Sequence, residues 1–182
     1  MKRVVITGAG TINALAHDVK GTLEAFREAR CGITELDIRD SERLTIRIGG
    51  QVHNWDPEVN FNRQQIVLYD KFTQFTLLAA RQAIAQSGLD FDGHLGYEAG
   101  VVLGTAAGGI STWEDSYRAV FADGRNRVSP LVVPRLMHNA PASHLSIRHG
   151  LSGPVLAVSS ACASANHAMG LAFQQIRAGV AD

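Results

Sequence analysis

Apolar positions follow two alternating patterns along the chain, short β-branched runs and longer stripes at helical spacing. Continuous apolar runs predict strands at Arg3–Thr7, Gly100–Leu103 and Val155–Val158. A partly alternating stretch, Leu44–Val52, predicts an edge strand or a hairpin. Because helical stripes separate these runs, the pattern predicts an α/β fold in which helices flank a largely parallel sheet.

Polar caps and glycines bound the predicted helices. Asp18 can cap the first helix, and Gly32 can close it in the left-handed conformation. Asp70–Ser87 is apolar on more than one face, which predicts burial between two layers. Ser159–Ala178 is predicted to be the last helix. Another helix is predicted to begin at a capping box, Ser111–Glu114, and to turn its apolar residues inward: Trp113, Tyr117, Val120 and Phe121.

Composition narrows the function classes. The 182 residues are 46% hydrophobic and 19% charged, which is typical of one ordered domain. Lys+Arg and Asp+Glu both number 17, so no general basic field exists and nucleic acid is not an expected partner. No window of about 18 apolar residues is present, so no membrane association is expected. The opening MKRVVITGAG indicates a strand and a glycine turn, and the predicted location is the cytoplasm.

Two glycine-rich segments nearly match nucleotide-binding motifs. Gly8-Ala9-Gly10 follows a predicted strand, but Asn13 stands where a dinucleotide-binding turn needs its third glycine. Gly104–Ser111 resembles a phosphate-binding loop, but Ile110 stands in place of the lysine. We therefore expect these glycines to let the backbone approach a neighbouring layer or a substrate.

The histidines and cysteines do not predict a metal site. His138, His144 and His149 are spaced by six and five residues, so no pair shares a helix face. The two cysteines, Cys31 and Cys162, lie far apart and form no C-x-x-C motif, which excludes a zinc ribbon. Both are predicted to be free thiols.

Cys162 lies where a predicted buried strand turns into a predicted helix. Backbone N–H groups at such a helix end favour a thiolate and can hold an oxyanion when sulfur attacks a carbonyl. This placement is typical of a nucleophile elbow, although a small buried cysteine chosen for close packing fits it equally well. His167 lies five residues later, about 140° around the same predicted helix, so it is predicted to be a packing histidine and not the base for Cys162.

Ordered landmarks along residues 1–182 resemble the N-terminal half of the β-ketoacyl-acyl carrier protein synthases, condensing enzymes of the thiolase superfamily. The matching segments are Arg3–Gly10, Asp70–Phe75, Gly100–Gly109, Met137–Ala142, and Gly150–Pro154 followed by Ser160–Ser164. The resemblance implies one half of a thiolase-like layered fold. It also implies that Cys162 is the catalytic nucleophile.

The resemblance implies a reaction of fatty-acid or polyketide biosynthesis that needs no cofactor. Cys162 would take an acyl group from a thioester, and a malonyl-carrier thioester would then decarboxylate and attack it. The product would be a β-ketoacyl thioester two carbons longer. The two histidines that polarise the malonyl thioester belong to the C-terminal half, which is absent here. We therefore expect a truncated chain that cannot condense acyl groups alone.

The resemblance also implies partners and a substrate pocket. A homodimer and an acyl carrier protein are the expected partners. Ala107 stands where related enzymes carry a larger gatekeeper, and with Gly108 it is assigned to substrate binding. Residues 64–69 lack the basic side chains that usually precede the aspartate matched by Asp70. Docking of the carrier is therefore assigned to the remaining basic candidates, Arg63, Lys71, Arg125 and Arg127.

Other classes of function remain open from the sequence. The chain could be a non-catalytic fragment that only dimerises, or a partner subunit that sets chain length, although such subunits usually lack the cysteine that is present here. A cysteine hydrolase is a third possibility. It would require a histidine within hydrogen-bond reach of the sulfur.

Overall fold

The structure, a computed structural model, describes residues 2–182, in which helices and short strands alternate. The strands are β1 (Ile33–Glu35), β2 (Ile48–Gly50), β3 (Val101–Gly104) and β4 (Val155–Val158). The helices are α1 (Val19–Arg27), α2 (Arg63–Leu68), α3 (Lys71–Ser87), α4 (His94–Glu98), α5 (Ile110–Tyr117), α6 (Val132–Leu136), α7 (Ala140–His149) and α8 (Ser164–Ala178). Short 3₁₀ turns cover Ser41–Arg43 and Pro57–Val59, and a π-helix, Arg118–Ala122, continues α5.

The centre of the fold is the parallel pair of β3 and β4, in which Val101 lies opposite Val155 and Gly104 opposite Val158. Helices α7 and α8 pack against both strands, and α3 packs against α7. The layered α/β arrangement is therefore confirmed. The sheet is smaller than expected, because within residues 2–182 only these two strands pair in parallel. The stretch Leu44–Val52 contributes β2, which pairs antiparallel with β1 as a predicted hairpin strand should.

Helix α3 confirms its predicted position between layers. Asp70 caps it, with its side chain accepting a hydrogen bond from the N–H of Phe72, and Gly88 ends it in the left-handed conformation at φ 66°. Leu77 and Leu78 are buried, and Leu77 joins a core cluster with Phe61 and Leu145. Burial of this kind is what the apolar positions on more than one face of α3 predicted.

The first predicted strand, Arg3–Thr7, is wrong, because within residues 2–182 it forms no ladder with another strand. The chain after it crosses α3 closely. A Cβ on Gly8 would lie 2.0 Å from the carbonyl oxygen of Ala83, and one on Gly10 would lie 1.9 Å from that of Ala79. The glycines therefore allow close backbone approach, as predicted, but a β-branched run becomes a strand only where a partner strand is present.

The end of α1 also differs from the prediction. Asp18 caps the helix as expected, accepting from the N–H of Gly21 at 2.6 Å. Helix α1 ends earlier, and Ala29 adopts the left-handed conformation at φ 52° in place of Gly32. A Cβ on Gly32 would lie 3.1 Å from the Leu15 side chain, so this glycine serves close packing and not the helix cap.

The capping box predicted at Ser111–Glu114 is wrong. Helix α5 begins at Ile110 without a cap from its own N-cap side chain, and the buried carboxylate that caps α3 takes that role. Oδ2 of Asp70 accepts from the backbone N–H of Thr112 at 2.8 Å and from its hydroxyl at 2.6 Å. Asp70 therefore begins two helices, α3 and α5, and this double use holds them at a fixed relative position.

The aromatic residues of α5 and of the π-helix that continues it point outward and not inward. Trp113, Tyr117 and Phe121 form a series of neighbouring rings, with centroids 5.6 and 5.4 Å apart. Their exposed fractions are 46%, 55% and 78%, whereas Val120 is half-buried. The predicted inward orientation is wrong for these three side chains because α5 packs on α6 through its other side.

No helix among residues 2–182 is long and apolar enough to cross a membrane.

Candidate active site

Cys162 lies in a sharp turn between β4 and α8. The last helix was predicted to begin at Ser159, but α8 begins at Ser164. The reason is the backbone of Ala161, which adopts the left-handed conformation at φ 50° and cannot belong to a right-handed helix. Cys162 follows this residue directly, and it is exposed with a free thiol. A strained residue before an accessible nucleophile is the backbone geometry expected of a nucleophile elbow.

A single buried hydroxyl holds the turn together. Oγ of Ser164, a residue with 2% exposure, accepts from the backbone N–H of Ser160 at 2.8 Å and donates to the carbonyl of Ala161 at 2.7 Å. The backbone N–H of Ser164 also donates to that carbonyl, at 3.1 Å. These three hydrogen bonds fix the conformation of Ala161, and with it the position of Cys162.

The glycine loop that follows β3 lies beside this turn. A Cβ on Gly104 would lie 2.4 Å from the carbonyl oxygen of Ser164, so the missing side chain lets β3 reach the beginning of α8. The N–H of Thr105 continues the parallel pairing by donating to Val158 at 3.1 Å. The hydroxyl of Ser159 donates to the carbonyl of Ala106 at 3.4 Å. The loop and the turn therefore form one connected structure.

The two predicted substrate-binding residues belong to this glycine loop. Ala107 is exposed, and Gly108 adopts the left-handed conformation at φ 66°. A Cβ on Gly108 would lie 2.8 Å from the carbonyl oxygen of Leu136. The close approach that was predicted for these glycines is therefore confirmed. Contact of Ala107 and Gly108 with a substrate stays a prediction.

His167 is exposed and hydrogen-bonded, so its prediction as a packing histidine is wrong. Its Nδ1 lies 2.6 Å from Oγ of Ser160. The angle predicted between His167 and Cys162 does not apply, because Cys162 precedes α8 and is not on it. No hydrogen bond joins the Cys162 sulfur to a histidine within residues 2–182. The geometry required of a Cys–His hydrolase is therefore not present in this part of the chain.

Cys31 offers a comparison within the same molecule. It is also a free, exposed cysteine, and it lies between α1 and β1. Its sulfur accepts from the N–H of Ile33 at 3.4 Å. A helix precedes Cys31 and a strand follows it, which is the reverse of the strand-turn-helix geometry that surrounds Cys162.

The model of the family described as "Beta-ketoacyl synthase, N-terminal domain" matches residues 1–182. The chain belongs to the β-ketoacyl synthase family. One relative of this synthase domain is Nodulation protein E of Rhizobium sp. (strain N33), which is 40% identical over all of this chain and 45% of its own length. Another is 3-oxoacyl-[acyl-carrier-protein] synthase 2 of Staphylococcus aureus (strain N315), which is 33% identical over all of this chain and 44% of its own length. The chain thus spans about 45% of these relatives.

Solved structures of ketosynthases share the fold of this synthase domain, which confirms a thiolase-like half-domain. The complex of a type II PKS acyl-carrier protein with its ketosynthase matches with a TM-score of 0.82 and 25% identity, over all of this chain and 48% of the other. The ishigamide ketosynthase/chain length factor matches with a TM-score of 0.89 and 22% identity, over 100% and 45% of the two chains.

The predicted docking residues of the synthase domain lie in three hollows. Arg63 is the first residue of α2 and lines a hollow of its own. Lys71 is the first residue of α3 and lines a second hollow, of about 610 Å³. Arg125 and Arg127 together line a third, of about 180 Å³. The structure therefore brings two of the four residues together.

Arg135 is a basic residue that the sequence analysis missed. It lies on α6 and lines both the Lys71 hollow and the one shared by Arg125 and Arg127. Its signal in the sequence is a single cation inside the apolar run LVVPRLM. Such a cation indicates either a long side chain whose apolar stem covers an apolar surface or a functional buried charge.

Among the described residues, no group of three or more histidine, cysteine, aspartate or glutamate side chains could hold a metal ion.

Proposed function

We propose that this domain carries the acyl-accepting cysteine of a β-ketoacyl-acyl carrier protein synthase. The observation that carries the proposal is the position of Cys162, exposed on a turn whose left-handed Ala161 is fixed by Ser164, directly before α8. The beginning of a helix leaves some of its first N–H groups without a partner inside the helix, and the proposal assigns the oxyanion to such groups beside Cys162. The relatives named 3-oxoacyl-acyl carrier protein synthase 2 support the same reaction class.

In the proposed acyl transfer, the thiolate of Cys162 attacks the carbonyl carbon of a carrier-bound acyl thioester. A new carbon–sulfur bond forms at Cys162, the carrier's carbon–sulfur bond breaks, and the carrier leaves as a thiol after taking up a proton. A malonyl thioester then loses CO₂, and its carbanion attacks the acyl-enzyme carbonyl. Cys162 is released as thiolate, and the product is a β-ketoacyl thioester two carbons longer.

The proposal divides these two steps between parts of the protein. The chain spans about 45% of the length of its relatives, and the donors that polarise the malonyl thioester are proposed to lie outside residues 1–182. Removing even one donor of this kind typically slows a reaction about 10²- to 10³-fold. We therefore expect this chain alone to accept acyl groups slowly, without measurable condensation.

Acyl transfer and condensation can be followed in one experiment. The purified chain is incubated with an acyl-carrier thioester and then with a malonyl-carrier thioester, while intact mass and released CO₂ are recorded. The expected result is one acyl adduct, lost in Cys162→Ala and retained in Cys31→Ala, with CO₂ at background. Absence of an adduct on Cys162 would contradict the acyl-transfer proposal. Condensation abolished by Cys162→Ala would contradict the proposed division of the reaction.

The proposed partners are the acyl carrier protein and a second copy of the chain. Carrier docking is assigned to Arg63, Lys71, Arg125 and Arg127, and the solved complex of a ketosynthase with its acyl-carrier protein supports a partner of this kind.

The proposed compartment is the cytoplasm, where free thiols stay reduced.

The edge of β4 supports the proposed dimer. Within residues 2–182, β4 pairs on one side with β3 and leaves its other edge unpaired. An open edge of apolar sequence can pair with the same strand of a second copy around a two-fold axis. Light scattering is expected to return twice the monomer mass. A monomer at every concentration would contradict the proposed dimer.

A further inference from the structure

Three arginines line one small hollow between α5, α6 and the loop that follows the π-helix. Arg125 and Arg127 come from the loop, and Arg135 comes from α6. The rest of the polar lining consists of three hydroxyl-bearing residues and one carboxylate: Thr112, Ser116, Ser129 and Asp115. Its volume of about 180 Å³ is roughly six times that of a water molecule in the liquid, which leaves room for a tetrahedral oxyanion.

Three arginines and one carboxylate, that of Asp115, line this hollow in the described part of the chain. Asp115 lines the hollow, but its Oδ1 is bound by Arg39 at 2.8 Å. Arg125 reaches Asp123 only at 3.9 Å, and its side chain is 70% exposed. No ion pair of Arg127 or Arg135 is present within residues 2–182. The hollow therefore keeps a positive charge that a bound anion would balance.

Arg135 contributes the most specific observation. Its Nε is buried and donates no hydrogen bond within residues 2–182. A buried donor without an acceptor is unfavourable, so a ligand gains affinity if it draws the guanidinium into the hollow and supplies the acceptor there. The planar guanidinium presents its donors in a fork that matches two oxygens of a phosphate group.

The hollow is linked to the turn that carries Cys162. The N–H of Gly109 donates to the carbonyl of Leu136, the residue after Arg135, at 3.1 Å. At its other end, the same glycine loop accepts the hydrogen bond from Ser159 through Ala106. One loop therefore connects the wall of the hollow with the beginning of the nucleophile turn.

We propose that Arg125, Arg127 and Arg135 form a binding site for a phosphate ester. Two sources share this chemistry: the phosphodiester of the pantetheine arm on a carrier protein, and a free phosphorylated small molecule. The proposal rests on the proposed acyl-transfer function only for the first source. Binding of a phosphate ester as such depends on the three arginines alone.

Calorimetry at low ionic strength tests the site with 4′-phosphopantetheine and, as a matched ligand, pantetheine without phosphate. The expected result is saturable binding of the phosphorylated compound only, weakened at least tenfold in Arg127→Gln and Arg135→Gln. Arg148→Gln removes a charge from a separate hollow and is expected to change binding less than twofold. Arg135→Lys keeps the charge without the fork, so it is expected to bind with intermediate affinity. Thermal melting verifies that each variant is folded.

Equal binding of both compounds, or an equal loss in Arg148→Gln, would overturn the phosphate site. The source is distinguished by titrating carrier protein with and without its pantetheine arm into wild type and Arg135→Gln. A carrier source predicts that only the arm-bearing form loses affinity in the variant. A small-molecule source predicts equal carrier binding by both proteins.

Acylation of Cys162 by a phosphate-free thioester, acyl-N-acetylcysteamine, separates this inference from the proposed function. Failure of that acylation with intact phosphate binding would overturn the acyl-transfer function alone. Normal acylation without phosphate binding would overturn the phosphate site alone.

Discussion

Oγ of Ser160 lies 2.6 Å from Nδ1 of His167, which ties the residue two places before Cys162 to the first turn of α8. A second side chain of α8 also holds this turn. The hydroxyl of Ser164 accepts from the N–H of Ser160 and donates to the carbonyl of the left-handed Ala161. The turn that presents Cys162 is therefore braced by side chains from α8 as well as by its own backbone.

The hydrogen bond between Ser160 and His167, called the brace below, predicts an energetic coupling between these two residues. A typical hydrogen bond stabilises a fold by about 1 kcal/mol net, so a double-mutant cycle of Ser160→Ala and His167→Ala should give a coupling near that size. Urea unfolding of the four proteins measures it. The matched pair Ser159→Ala and His167→Ala should show no coupling, because Ser159 bonds to Ala106 instead. Additive effects in the first cycle would contradict the brace.

Loss of the Asp70 carboxylate should destabilise the fold markedly. Asp70→Ala removes the cap of α3 and leaves the buried N–H and hydroxyl of Thr112 without their acceptor. A lost cap together with an unsatisfied buried donor predicts a decrease in the free energy of unfolding of about 3 kcal/mol. Thr112→Val should cost less, because the backbone N–H keeps its acceptor.

Denaturant midpoints of Asp70→Ala, Thr112→Val and Asp90→Ala measure these differences. Asp90 is an exposed control whose carboxylate accepts from the nearby N–H of Asp92. A cost for Asp70→Ala no larger than that for Asp90→Ala would show that Asp70 does not join α3 to α5.

Stability should fall as the solution becomes acidic. Burial lowers the pKa of His144, and burial together with Arg148 lowers the pKa of His149, below the ordinary value of 6.5. The unfolded chain therefore binds more protons near that value, so the free energy of unfolding is greatest above pH 6.5 and decreases as pH falls toward the folded pKa values. Urea titrations across this window should give a smaller slope in His144→Gln. An unchanged slope would contradict the contribution of His144.

The acyl pocket prediction concerns Ala107 on the glycine loop. In a protein that condenses acyl groups, Ala107→Phe should slow acylation by long chains more than by short ones, because the larger side chain fills space that long chains would use. Rates of acylation with two chain lengths measure the ratio. Ala106→Phe, at the neighbouring exposed position, is the matched variant. An equal decrease for both chain lengths would show that Ala107 does not line the pocket.

The sequence predicted those features whose causes are local. Strand β4 was predicted with its observed bounds because a continuous apolar run lies between Pro154 and Ser159, and α3 because its cap, stripe and terminal glycine agree. The family and the candidate nucleophile followed from ordered short motifs, of which the family has been confirmed.

Features that depend on residues far apart in the sequence were not predicted. The cap of α5 comes from Asp70, which is 42 residues before Thr112, and no spacing rule covers such a pair. The late beginning of α8 follows from the left-handed Ala161, a conformation that alanine rarely adopts and that Ser164 stabilises here. The brace between Ser160 and His167 was missed because both residues were assigned to one continuous helix.

The central claim is that the turn before α8 makes Cys162 the reactive thiol, and Cys31 is the internal reference for it. Both thiols are free and exposed, so differences in access do not dominate the comparison. The decisive measurement is the ratio of their alkylation rates with limiting iodoacetamide at pH 7, mapped by mass spectrometry in folded protein and in urea. Cys162 is expected to react at least tenfold faster than Cys31 when the protein is folded, and the ratio is expected to approach one in urea. Equal rates in the folded protein, or faster labelling of Cys31, would contradict it.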